Sequence, residues 1–213
     1  PPAKTSSARD LIERSRVQPP LPLSIRPGRA KILRLDPHGV DDYLTCPLKY
    51  QYSHVLKLPV MRHHLVVYGA ALHKAVEAFY KRQLAGQPMR AEELLAAFEQ
   101  AWSLEGFLTR EHEERRMAQG RAVLTRFFAR QQAHPEHPAM IEQPFKFPLN
   151  DLLIVGRWDR VDRHGDEAVI IDYKSSEVRE QAAADRRAKA SFQLLVYALA
   201  WHTLYGRLPL RVE

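Results

Sequence analysis

Asp159, Asp172 and Lys174, near the middle of the chain, are of the types that hydrolyse phosphate esters. Two carboxylates supply hard oxygen ligands that hold Mg²⁺ or Mn²⁺ while leaving positions open for water and a phosphate oxygen. Such an ion lowers the pKa of water and offsets charge at phosphorus. An ammonium beside it orients the attacking water or stabilises developing negative charge. The three groups must converge for this, and the surrounding sequence offers a way. Leu152 to Val161, rich in branched and aromatic residues, predicts a strand, and Ala168 to Lys174 predicts a second. The polar stretch Arg163 to Glu167 reads as a tight turn between them. Alternation puts Asp172 and Lys174 on one face about 7 Å apart, with Ile171 and Tyr173 on the other. Folding the hairpin brings Asp159 next to Asp172. A bare Asp-x-Lys also describes a solvated ion pair of little consequence. The apolar run Ala168 to Ile171 reads as a buried strand, and that gives the two readings equal weight.

Other residues could join them. Val67 to Leu84 is a periodic helix ended by Gly86 and Pro88, with Ala71, Ala75, Ala78 and Phe79 as its packed stripe. It carries Gly69, which permits close approach of another segment, and His73, with Val76, Glu77 and Tyr80 on the same side. His73 is either a structural or solvated histidine, or a ligand where the helix abuts the hairpin. Ile141 to Phe147 is a third strand, and its Glu142 is an edge carboxylate or a supporting member of the site. Ala190 to Tyr205 reads as a buried helix stopped by Gly206. Gln193 and Tyr197 share one face of it, where buried polar groups need partners that a substrate phosphate or the lysine could supply.

The remaining elements are positioning structure. Asp36-Pro-His-Gly39 is a helix-start signal, followed by Val40, Tyr43, Leu44 and Leu48 at helical spacing, with Tyr50 and Tyr52 as packing residues. Ala91 to His134 predicts two or more helices, and Glu111 to Arg116 is a solvated charged face. His134-Pro-Glu-His-Pro138 reads as a turn rather than a metal cluster. The charged segment Arg179 to Lys189 either contacts phosphates or is solvated. Residues 1–35, rich in Pro, Ser and Arg, read as a linker or the edge of a preceding domain, with one short helix near Ala8 to Arg16. The Pro-Pro start, and an apparent strand beginning at Arg211, read as a domain cut from a longer polypeptide and truncated at its C-terminus.

A length of 213 residues suits one sizeable α/β domain or two small ones. The net charge of +7 suits a polyanionic partner. One cysteine, Cys46, excludes a disulfide framework and a four-cysteine zinc site, and fits a reducing, cytoplasmic setting. No apolar run approaches the roughly 20 residues of a membrane span, and no signal peptide is visible.

In order along the chain, the motifs resemble those of the PD-(D/E)xK nuclease superfamily, specifically the RecB-like nuclease domains attached to UvrD/Rep-type helicases and found in RecB, AddA and AddB. The resemblance rests on Tyr43-Leu-Thr-Cys46-Pro47-Leu-Lys-Tyr50, Gly69 to His73, Gly156-Arg-Trp-Asp159, Ile170-Ile-Asp172-Tyr-Lys174 and Gln193 to Tyr197. Each motif is weak alone; five in order are specific. The resemblance implies an α/β restriction-endonuclease-like core over residues 36–213, a small mixed central sheet flanked by helices, with an inserted helical segment. It implies that His73, Asp159, Asp172 and the backbone carbonyl of Tyr173 ligate Mg²⁺ or Mn²⁺. Lys174 would be the catalytic lysine, acting with Asp159 and Asp172, while Gln193 and Tyr197 position the lysine or the DNA strand. Asp162, three residues after Asp159, faces away from it under strict alternation and is a structural candidate. Trp158 replaces an aliphatic residue common in relatives, a change of packing.

The implied activity is exonuclease-type hydrolysis of single-stranded DNA, fed by a helicase domain on the same polypeptide during repair or recombination. Cys46 matches one of four cysteines that hold an iron–sulfur cluster in some relatives, but with no other cysteine this stretch cannot hold one. No Walker-type loop is present, so ATP hydrolysis would reside elsewhere. The alternative is a catalytically inactive DNA-binding or scaffolding module, against which the full set of acids and the lysine argues. A phosphatase of small substrates is disfavoured by the basicity and the Gln-Tyr helix.

Overall fold

In the computed structural model of the protein, residues 33–175 and 180–213 are described. The expected short helix at Ala8 to Arg16, most of the expected linker and Arg179 lie outside them. The first described strand, β1 (Leu33–Leu35), leads into α1 (Pro37–Thr45) at the expected signal. Asp36 is extended, and its side chain accepts a hydrogen bond from the Gly39 amide at 2.9 Å, with Pro37 opening the helix. Pro47 forces Cys46 out of the helical region, so α1 stops and the short α2 (Pro47–Tyr50) begins, followed by a π-helical turn at Gln51–Val55. Tyr50 packs edge-on against Tyr43 and stacks on His54. Tyr52 is not a packing residue as expected: it is 48% exposed, on the outer side of the π-helical turn.

Three longer helices form one core. They are α3 (His64–Leu84), α4 (Ala91–Gln100) and α5 (Arg110–Ala133). Ala71, Ala75 and Phe79 of α3 are buried against Leu94 and Phe98 of α4 and Leu124 of α5. The charged start of α5 is an exposed face laced by Arg110–Glu114 and Arg115–Glu111 pairs four residues apart, as its sequence indicated.

The second core lies between the sheet and the last long helix. β2 (Met140–Leu149), β3 (Leu152–His164) and β4 (Glu167–Ile171) are followed by α6 (Gln181–Lys189), α7 (Phe192–Tyr205) and β5 (Arg211–Val212). β3 is central: β2 runs antiparallel along one edge, while parallel β1 and antiparallel β4 share the other, and β5 adds parallel to β4. The β3–β4 turn is only Gly165-Asp166, with Gly165 at φ +60° and His164 paired with Glu167. The arrangement is α/β, a small mixed sheet flanked by helices, as read from the sequence. α7 is capped by Ser191 and ended by left-handed Gly206, and it lays Tyr197, Ala200 and Trp201 on Phe145 and Trp158. No described helix is long and apolar enough to cross a membrane.

Gly156 is required by this packing. It pairs across the sheet with Phe145, whose ring lies where a Cβ on Gly156 would sit, 2.3 Å away. Gly156→Ala must therefore displace a buried ring, and it is expected to lower stability by about 1–3 kcal/mol. A urea melt with an unchanged midpoint would contradict that packing argument.

The strand pair β2–β3 carries a crease. Trp158 and Val161 both pack into the sheet core although they are an odd number of residues apart. In β2, Met140 likewise packs on the sheet core with Phe145 and Phe147, from which it is an odd number of residues away. The alternation thus slips in both strands between these positions, where Glu142 adopts φ +52°. A non-glycine residue in this region is strained by roughly 1–2 kcal/mol.

Candidate active site

The crease is where the acidic residues meet. The pairs Ile141↔Arg160 and Gln143↔Trp158 set Glu142 opposite Asp159, and Arg160↔Ile171 sets Asp172 opposite Asp159 from the other side. Three carboxylates from three consecutive segments thus occupy one row, with Asp159 in the middle. β4 ends at Ile171, three residues earlier than its sequence indicated. The Asp172 amide still bonds to the sheet through the Glu213 carbonyl at 2.7 Å. The Tyr173 amide instead donates to Asp159 Oδ2 at 3.0 Å, and this side-chain bond peels the segment off the strand. Lys174, beyond the strand's end, still reaches Asp172 as expected of the i, i+2 pair, its Nζ lying 2.5 Å from Oδ2.

α3 supplies His73. Its Nε2 is 2.6 Å from the Tyr173 carbonyl oxygen and its Nδ1 is 3.5 Å from Asp159 Oδ2. Gly69, one turn earlier, makes that approach possible: a Cβ there would lie 2.7 Å from Ser175 Oγ. α7 supplies Gln193, which joins the rest. Its Oε1 accepts from Lys174 Nζ at 2.8 Å, while its Nε2 faces Asp172 Oδ1 at 3.0 Å and the Tyr197 hydroxyl at 2.7 Å. Burial holds that hydroxyl above the ordinary phenol range, so Tyr197 is a neutral anchor for the amide.

The electrostatics favour an added cation. Burial, then the neighbouring Asp172 charge, raises the Asp159 carboxyl above its ordinary range, although His73 and the Tyr173 amide oppose this. Burial also raises Glu142, although Arg157 contacts it at 2.5 Å. Both His73 ring nitrogens face acceptor oxygens, yet a neutral imidazole carries a single N–H. A bound cation matches the leftover lone pair and relieves the crowded carboxylates. Ligand atoms of His73, Glu142 and Asp159 lie within 4.8 Å of one another, a spacing that fits a metal ion. Asp172 is outside that group, with its oxygens engaged by Lys174 and Gln193. The structure links the site residues named from the sequence in one network of contacts, but the group with metal spacing holds Glu142, expected as a supporting residue, and not Asp172, expected as a ligand.

Sequence reasoning passed over a second polar cluster beside the first. Arg160, 4% exposed, donates twice to Asp162 and once to the Tyr80 hydroxyl, and it pairs with Glu136. Glu136 comes from the turn His134 to Pro138, and Asp162 is the structural residue foreseen. The available signal was an arginine inside a strand of otherwise buried character, since buried arginines require partners.

A family model described as the PD-(D/E)XK nuclease superfamily matches residues 34–212. The chain belongs to that superfamily. Members of the PD-(D/E)XK superfamily are in general nucleases that use divalent metals, and the row of acids with a lysine in this member is consistent with that chemistry. No curated protein matches the chain.

Proposed function

We propose that this PD-(D/E)XK member is a divalent-metal-dependent deoxyribonuclease of the RecB-like kind. On this reading it degrades single strands exonucleolytically as a linked helicase delivers them in repair or recombination. The observation that carries the nuclease reading is the row Glu142–Asp159–Asp172 at the sheet crease, with His73 on one side and Lys174 on the other. The motif order and the net charge of +7 support the finer reading.

His73, Asp159, Glu142 and the Tyr173 carbonyl are the groups that would hold Mg²⁺ or Mn²⁺, with Asp172 beside them. The ion, when bound, lowers the pKa of a water and neutralises the phosphate. Asp172 and Gln193 hold the Lys174 ammonium at the edge of the acidic row, where it can orient the water and donate to the non-bridging oxygens as charge builds. Water adds to phosphorus, one ester oxygen leaves with a proton, and the products are a hydroxyl end and a phosphate end. Arg187 of α6 lines a cleft together with Asp172 and Lys174, a position from which it can steer the backbone.

The assay is digestion of end-labelled single- and double-stranded DNA with Mg²⁺, Mn²⁺ or EDTA. Cleavage with either ion and none with EDTA is expected, and the product ladder gives the polarity. Binding without cleavage under any of these conditions would favour the inactive binding module instead.

A further inference from the structure

A cleft of about 240 Å³ opens directly beside the acidic row, between α3 and α5. Leu72 and Val76, four residues apart on α3, form one wall. Val123, Phe127 and Arg130 on α5 form the other, at spacings of four and three that share one helix face. Tyr173 and Lys174 close one end, beside His73. Two of these residues belong to the site as well: His73 reaches Asp159, and Lys174 reaches Asp172. A ligand bound at the carboxylates therefore has the cleft as its immediate neighbour.

The walls define the chemistry of the occupant. The Phe127 ring is fixed by edge contacts to Phe79 at 5.3 Å and Tyr80 at 5.8 Å, so it is a rigid surface. The guanidinium of Arg130, held 3.0 Å from Glu136, stands at the rim. An apolar slot with an aromatic wall and a guanidinium at the edge suits a flat heteroaromatic ring. The volume falls below the roughly 300–1,000 Å³ of pockets that enclose a drug-sized ligand, and it suits one ring system.

We propose that this cleft receives the nucleobase adjacent to the phosphodiester being cleaved, unstacked from its strand and laid against Phe127. The proposal rests on the nuclease reading of the neighbouring site. A paired base cannot enter without leaving its duplex, so the cleft gives preference for single strands a physical origin in this chain. The contact is sequence-tolerant, because every base offers a π face.

The test uses end-labelled single-stranded DNA carrying one abasic residue, digested with Mg²⁺ or Mn²⁺. Cleavage at a phosphodiester adjacent to the abasic residue should fall about tenfold against the intact strand, leaving a gap in the ladder. Val123→Gln, a longer polar side chain at a position 37% exposed and therefore tolerant, should fill the cleft, slow cleavage overall and erase the gap. An even ladder across the abasic residue, with normal cleavage elsewhere, overturns the cleft and leaves the nuclease standing. Absence of any cleavage overturns the nuclease instead. The cleft is then decided by binding of a 2-aminopurine strand to the unsubstituted protein. Fluorescence that rises on binding as the base leaves its neighbours, and that no longer rises with Val123→Gln, supports it; no rise on binding to the unsubstituted protein refutes it.

Discussion

Lys174→Ala is expected to bind DNA as tightly as the parent chain while cleaving it at least about a hundredfold more slowly, the usual loss when a donor to a developing oxyanion is removed. The reasoning begins with where the ammonium stands. Its Nζ contacts Asp172 Oδ2 and donates to Gln193 Oε1, so two partners fix it at the edge of the acidic row. The side chain is half exposed and sits outside both cores, so its loss removes little packing. Asp172→Ala is expected to abolish cleavage too, but with a different signature. It removes the anchor of the lysine and the partner of Gln193 together, so Lys174 and Gln193 lose their shared geometry. Single-turnover cleavage at saturating DNA separates chemistry from binding. Retention of the parent rate in either variant would remove that residue from the mechanism.

The largest effect on stability is expected at Arg160, outside the site. Its guanidinium spans β3 to the helical core by two bonds to Asp162, of 2.7 and 2.5 Å, one to the Tyr80 hydroxyl of 2.8 Å, and the pair with Glu136. Arg160→Met keeps much of the volume but leaves two carboxylates without their counter-ion, a change that costs about 3–5 kcal/mol at buried pairs. Since Glu136 is about one-third exposed, the lower end is expected. Arg160→Lys should fall between, because a point charge cannot serve both carboxylates with a planar fork. Chemical denaturation with a loss below about 1 kcal/mol for Arg160→Met would contradict this account.

The same cluster fixes an acid response. Burial pushes the Glu136 carboxyl up, but hydrogen bonds from Arg160, Tyr80 and Gln131 more than offset this and hold it at about 2. A carboxylate with a depressed folded pKa contributes stability that is fully present above its unfolded value of 4.5 and is lost as pH falls towards about 2. Allowing for solvent screening, that contribution is about 2 kcal/mol. Glu136→Gln should flatten the stability profile in this window, and an unchanged slope between pH 4.5 and 2 would refute the assignment.

Much of the candidate-site constellation was legible along the chain because short-range rules govern it. Alternation and a polar turn around Gly165 set Asp159 against Asp172, the Asp36-Pro37 signal started a helix, and Gly206 ended one. Helical spacing joined Gln193 to Tyr197, and the hydrogen bond between them followed. Other features depended on segments distant in sequence. Glu142 faces Asp159 only because β2 and β3 share a crease, and the strained backbone there lets Met140 join Phe145 and Phe147 in one core despite their odd separation. The early end of β4 came from a side chain, Asp159, capturing a backbone amide fourteen residues after it in the fold's hairpin. The Arg160 cluster joins α3, β3 and the turn after α5, and no local pattern relates them. Sequence by itself determined which groups could do chemistry and the local elements bearing them. Tertiary structure decided their distances, because burial and cross-strand packing choose among conformations that local propensity leaves nearly equal in energy.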